Sequence, residues 1–85
     1  MKTVIIDCTL IPDKVALHRA LAQALNFPDY YGNNLDALYD CLTDIREDIT
    51  LTLQNFHTMG AFRGGFLAVL EEAEQENSHL IVTIS

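Results

Sequence analysis

The chain has no tryptophan, two cysteines, two prolines and four glycines, and only five lysines and arginines against twelve aspartates and glutamates. With so few cations and a formal net charge of −7, nucleic-acid binding is not expected, because phosphate contacts need basic side chains. No stretch approaches the roughly 20 apolar residues of a membrane span. The opening MKTVIIDCTL has only a short apolar run that stops at Asp7, so it does not read as an export signal. Cys8 and Cys41, in a chain without such a signal, are expected to be buried and reduced, and the protein cytoplasmic. His18, His57 and His79 have no metal-ligand spacing with each other or with the cysteines. All three are expected at the surface, and no metal or cofactor is expected. Linkers, repeats and low-complexity segments are also missing, which predicts one domain over residues 1–85.

What is present suffices for a modest core, since 49% of the residues are hydrophobic. TVIID (3–7) and LIVTI (80–84) are apolar runs rich in β-branched residues, and ITLTL (49–53) alternates; all three read as strands. Asp13 is a plausible N-cap for a helix over 14–25, where Leu17, Leu21, Ala24 and Leu25 recur at helical spacing. Phe27, standing before Pro28, should end it. A second stripe of Phe62, Phe66, Val69, Leu70 and Ala73 predicts a helix over about 62–76, with Gly64 and Gly65 weakening its start. Strands alternating with helices predict an α/β fold. The expected form is two layers: a three-stranded parallel sheet with the helices packed on one face.

The negative charge is unevenly placed. Residues 20–45 carry Asp29, Asp36, Asp40 and Asp44, residues 64–85 carry Glu71, Glu72, Glu74 and Glu76, and neither segment has a lysine or arginine. A helix beginning near Leu35, capped by Asn33 or Asn34 after Gly32, places Asp36, Asp40 and Asp44 on one stripe, within about 80° at 100° per residue. Leu35, Leu38 and Leu42 fall on the opposite, core-facing side. Tyr39 lies at the border and Thr43 beside Asp36. Like charges four apart cost a helix roughly 0.2–0.5 kcal/mol per pair. Anions near the C-terminus also oppose the macrodipole. A face built for helix stability would mix in lysine or arginine, so acid, hydroxyl and aromatic groups together read as an interface for a basic partner. Of the adjacent Tyr30 and Tyr31, one should point outward.

Other readings exist for these residues. An acidic surface can serve solubility alone. Asp36 and Asp40 could hold Mg²⁺, but an exposed helix face offers no enclosed pocket for catalysis.

PDYYGNNLDALYDCLT (28–43), and more weakly EEAEQENSHLIVTIS (71–85), resemble the barstar family of intracellular inhibitors of barnase-type ribonucleases. The resemblance spans the whole chain, and its YYGxNLDALxDCL core is long and specific. It implies a ribonuclease inhibitor, not an enzyme, whose acidic helix plugs the active site of a small basic guanyl-specific ribonuclease in a 1:1 complex. The free protein is expected to be monomeric. By position, Asp40 would replace an RNA phosphate among the enzyme's arginines and histidine. Asp36 would meet groups that handle the guanine end. Tyr30 would pack on the catalytic histidine, Glu72 would pair with an arginine, and Asn34, Leu35 and Thr43 match further contacts.

The sequence departs from the family's pattern in places. Tyr39 stands where the family has its interface tryptophan, and Asp44 where it has glycine. DIRED (44–48) replaces a glycine, a tryptophan and a Tyr-Pro pair, so Arg46 adds a cation and the family's cis peptide has no proline here. The loop between Phe56 and Phe62 is shorter. The changes leave open a ribonuclease other than barnase, or an acidic binding module of the same fold with another kind of partner.

Overall fold

The computed structural model describes residues 2–85. Strands β1 (Lys2–Asp7), β2 (Ile49–Gln54) and β3 (Leu80–Ile84) form a parallel sheet in the order β1-β2-β3. Helices α1 (Lys14–Leu25) and α2 (Leu35–Thr43) lie between β1 and β2 in the chain, and α3 (Arg63–Glu76) lies between β2 and β3. The alternation of ITLTL becomes the two faces of the central strand. Ile49, Leu51 and Leu53 are buried, while Thr50 and Thr52 look toward the open side. Val4 pairs with Leu51, and Leu51 with Val82, so the apolar sets of all three strands share one face. That face packs in one core with Leu17 and Leu21 of α1, Leu38 and Leu42 of α2, and Phe66 and Leu70 of α3. Ile5 and Ile81 remain exposed on the other face. The two-layer α/β arrangement is therefore as expected.

Local chemistry explains the element ends. The Asp13 carboxylate caps α1 by accepting from the Ala16 N–H at 2.8 Å. The helix ends at Leu25 as expected, and Asn26 makes the stop by taking the left-handed conformation (φ 56°). The Phe27 N–H then closes a Schellman-type bond to the Ala22 carbonyl at 2.9 Å. At α3, Gly65 lets the two helices approach closely, because a Cβ there would sit 3.2 Å from Leu35 Cδ1, which would have to give by a few tenths of an ångström. Short 3₁₀ turns at Cys8–Leu10 and Phe56–Thr58, which local pattern did not reveal, follow β1 and β2. The Glu74 carboxylate accepts from the Val82 N–H at 2.6 Å. This occupies part of β3's free edge and hinders another strand from adding there.

Two side chains differ from expectation. His18 is not at the surface; it is 3% exposed. Its Nδ1 pairs with the Tyr31 hydroxyl at 2.5 Å, and its ring packs on Phe66 at 4.7 Å between centroids. Positions 18, 21 and 25 share the buried side of α1, so the spacing held the signal that polarity obscured. Cys8 is buried as expected, but Cys41 is only half-buried.

Candidate functional site

α2 is short because local groups define both of its ends. Asn34 is its N-cap, accepting from the Ala37 N–H at 2.8 Å and donating to the Gly32 carbonyl at 3.3 Å. Gly32 does not supply a left-handed turn. Asn33 does (φ 53°), while Gly32 leaves room for the capping amide, since a Cβ would meet Asn34 Nδ2 at 2.9 Å. At the other end Asp44 is the C-cap, and its N–H reaches the Cys41 and Leu42 carbonyls. Thr43 is half-buried; its hydroxyl donates back to the Tyr39 carbonyl at 2.9 Å and lies 3.2 Å from that of Asp40.

The expected stripe is on the outside. Asp36, Asp40 and Asp44 are all exposed, while Leu38 and Leu42 are fully buried beneath them. Asp36 lies in the first turn, where the helix dipole favours it; Asp40 and Asp44 lie toward the disfavoured end. The three acids are not equivalent in pairing. Asp44 has Arg46 at 3.5 Å, an exposed ion pair of little net strength. Among the described residues, Asp36 and Asp40 have no ion-pair partner.

The tertiary structure sets other groups beside this stripe. Leu35, Asp36, Tyr39 and Asp40 of α2 share an open hollow of about 430 Å³ with Val69 and Glu72 of α3. Glu72, 32 positions further along the chain than Asp40, thus joins the same acidic face. Asp40 also borders a second hollow, of about 480 Å³, with Tyr30, Cys41, Asp44 and Arg46. Tyr30 is 87% exposed, whereas Tyr31 turns inward to His18 and Phe27. Leu35 and Tyr39 are half-buried and pack against the core, giving the acids a firm base. Arg46 is expected as an added cation near the interface, whereas Cys41 is not among the residues expected at the site; both meet Tyr30 where α2 and the segment after it pack against the loop before α2.

The acids are felt locally. The Cys41 thiol is pushed above its ordinary pKa by burial and then by Asp40 and Asp44, which makes it a poor nucleophile at neutral pH. Burial, aided by Cys41, pushes Tyr31 up to about 12, so its hydroxyl stays protonated beside His18. His18 is held below the usual histidine value by burial and then by Lys14. Among the described residues, no three His, Cys, Asp or Glu side chains gather as a metal ion would require, and no helix is long and apolar enough to cross a membrane. The face offers fixed negative charge, an exposed aromatic ring and shallow relief, which suit docking against a cationic protein surface.

Residues 1–84 match the family described as Barstar (barnase inhibitor). The chain is also 43% identical over 81 residues to a protein of Bacillus subtilis (strain 168) named "Putative ribonuclease inhibitor YrdF", with 89% of each chain covered.

Proposed function

The chain belongs to the barstar family, a family of ribonuclease inhibitors rather than enzymes, and from that premise we propose that its acidic α2 face blocks the active site of a small basic guanyl-specific ribonuclease. Asp40 stands in for an RNA phosphate, and Asp36 engages the groups beside it that handle the base. Tyr30 lies over the catalytic histidine and Glu72 takes an arginine from the α3 side. Asn34, Leu35, Tyr39 and Thr43 complete the contact, with Asp44 at its edge. The acting unit is one domain over residues 1–85, monomeric when free, binding one enzyme in the cytoplasm.

The observation that carries this reading is the unpaired state of Asp36 and Asp40. Both are exposed on a helix whose core side is fully packed, and neither has an ion-pair partner among the described residues. Carboxylates fixed in this way lose little freedom on docking. An active site built for RNA phosphates supplies the missing positive charge, and the facing fields speed encounter. The Asp44–Arg46 pair brings that end of the face closer to neutral, and Tyr39 is smaller than the tryptophan it stands for. Both features favour an enzyme that differs from barnase at this edge.

The test is to titrate the protein into barnase, and into other small basic guanyl-specific ribonucleases, while following RNA cleavage. Stoichiometric loss of activity is expected, with Asp40→Ala far weaker. If an intact, folded protein leaves every such enzyme active at micromolar concentrations, the proposal is wrong. Binding of another basic protein by the same face would then favour the acidic-module reading.

A further inference from the structure

Asn77 follows α3, is 5% exposed, and lies among apolar residues where an asparagine is costly unless its groups are all paired. They are. Its Nδ2 donates to the Leu42 carbonyl at 2.9 Å and to the Ile45 carbonyl at 3.0 Å, and its Oδ1 accepts from the His79 N–H at 3.0 Å. Its own N–H reaches the Ala73 carbonyl at 2.9 Å, and its carbonyl accepts from the Leu80 N–H at 3.1 Å. The neighbours fix the amide's orientation, since two carbonyls need the NH₂ and one N–H needs the oxygen.

Leu42 is in the last turn of α2, and Ile45 follows the C-cap, Asp44. Carbonyls there have no partner within the helix and form its negative pole. The same turn carries Asp40, with Asp44 next to it. We infer that Asn77 is a positioning residue for partner binding: its side-chain amide clamps the carbonyl end of α2 to the end of α3, holding Asp40 and Glu72 in one fixed arrangement. The inference rests on the inhibitory reading above. The clamp bridges 35 and 32 residues of sequence, and it satisfies the helix pole that the acids oppose. Glu72 and Asn77 leave the same stretch of chain, so one buried contact sets the distance between the two acidic helices at the face they share. Of the other side chains serving the end of α2, the Thr43 hydroxyl bonds only back within the helix, and exposed Arg46 reaches the Thr43 carbonyl only at 3.5 Å. They cannot fix it as a buried amide does.

The experiment is a binding cycle with barnase as probe, or, where barnase is not inhibited, with the small basic guanyl-specific ribonuclease that is, using folded protein checked by circular dichroism. Asn77→Ala is compared in the unsubstituted background and in one carrying Asp40→Ala and Glu72→Ala. Coupled neighbours interact by 0.5–3 kcal/mol, which is roughly 2- to 150-fold in affinity. Asn77→Ala should therefore weaken binding at least about five-fold more in the first background than in the second. Equal loss in both would mean that Asn77 only supports the fold, and would overturn the inference. If Asn77→Ala does not fold, Asn77→Ser takes its place, retaining one short donor. Amide hydrogen exchange of the free protein supplies a readout independent of the enzyme. Faster exchange confined to residues 41–45 is expected, with the sheet unchanged; no local change would overturn the clamp. Failure of the unsubstituted chain to inhibit barnase and every other small basic guanyl-specific ribonuclease would instead overturn the inhibitory reading, and the positioning role with it.

Discussion

Replacing Asp40 with asparagine should make the protein more stable and a much weaker inhibitor. Asparagine and aspartate have similar helix propensity and shape, so the change isolates the charge. Asp40 is one turn from both Asp36 and Asp44, and each like-charge pair costs roughly 0.2–0.5 kcal/mol. Arg46, 3.5 Å from Asp44, reduces the second share. Asp40 also lies in the last turn of α2. An anion there costs roughly 0.3–1 kcal/mol at low salt. The gain is therefore about 0.5–1.5 kcal/mol, smaller when salt screens it. For a domain of this size each kcal/mol moves Tm by about 4–8 °C. Binding should move the other way, by about 2–5 kcal/mol, the usual cost of truncating one partner of a buried charge pair. At 1.4 kcal/mol per ten-fold, that is roughly 30- to several thousand-fold. The barnase–barstar pair is itself among the examples behind such values, so the range is taken over from the family rather than obtained independently. Urea melts and inhibition titrations on the same preparation measure both sides. A loss of stability comparable to the loss of affinity would refute this account, because Asp40 would then be a structural acid.

Three other outcomes are expected. His18 has a folded-state pKa below its unfolded value, so the unfolded chain binds its proton first as pH falls below about 6.5. Its stability contribution is complete above that pH and is lost toward the lower folded pKa, with a slope of at most about 1.4 kcal/mol per pH unit. Urea melts at pH 7.5, 6.5 and 5.5 should show this loss, and His18→Gln should flatten it; a profile unchanged by the substitution would acquit His18. Leu42 is 0% exposed under the acidic stripe, so Leu42→Ala should cost about 2–5 kcal/mol of stability. Thermal melts test that, and a cost under about 1 kcal/mol would mean that the core closes over the gap. Association with the enzyme, followed by stopped flow, should slow steeply between about 0.05 and 0.5 M salt, and a flat rate would argue against charge steering.

Element positions were largely legible because they rest on interactions within a few residues. Asp13 and Leu17, Leu21 and Leu25 marked α1 over 14–25, and the alternation of ITLTL marked β2 to within a residue. The apolar stripe and the two glycines place the start of α3 between about 62 and 65, and it begins at Arg63. The mistaken reasons were also local ones. The residue before Pro28 suggests extended geometry as the stop of α1, while the stop is made by left-handed Asn26, and left-handed Asn33 precedes α2. His18 was misplaced because polarity outweighed spacing, although it sits on the buried side with Leu21 and Leu25.

Residue spacing alone turns the leucines of α2 inward and its carboxylates outward, because a helix repeats every 3.6 residues whatever surrounds it. With the shared YYGxNLDALxDCL pattern, that was enough to reach the family. Packing brings Glu72 to one hollow with Asp36 and Asp40, turns Tyr30 and not Tyr31 outward, and sets Asn77 against the end of α2. These contacts join side chains many residues apart. Their geometry comes from the packing of whole helices on the sheet, which no local spacing encodes.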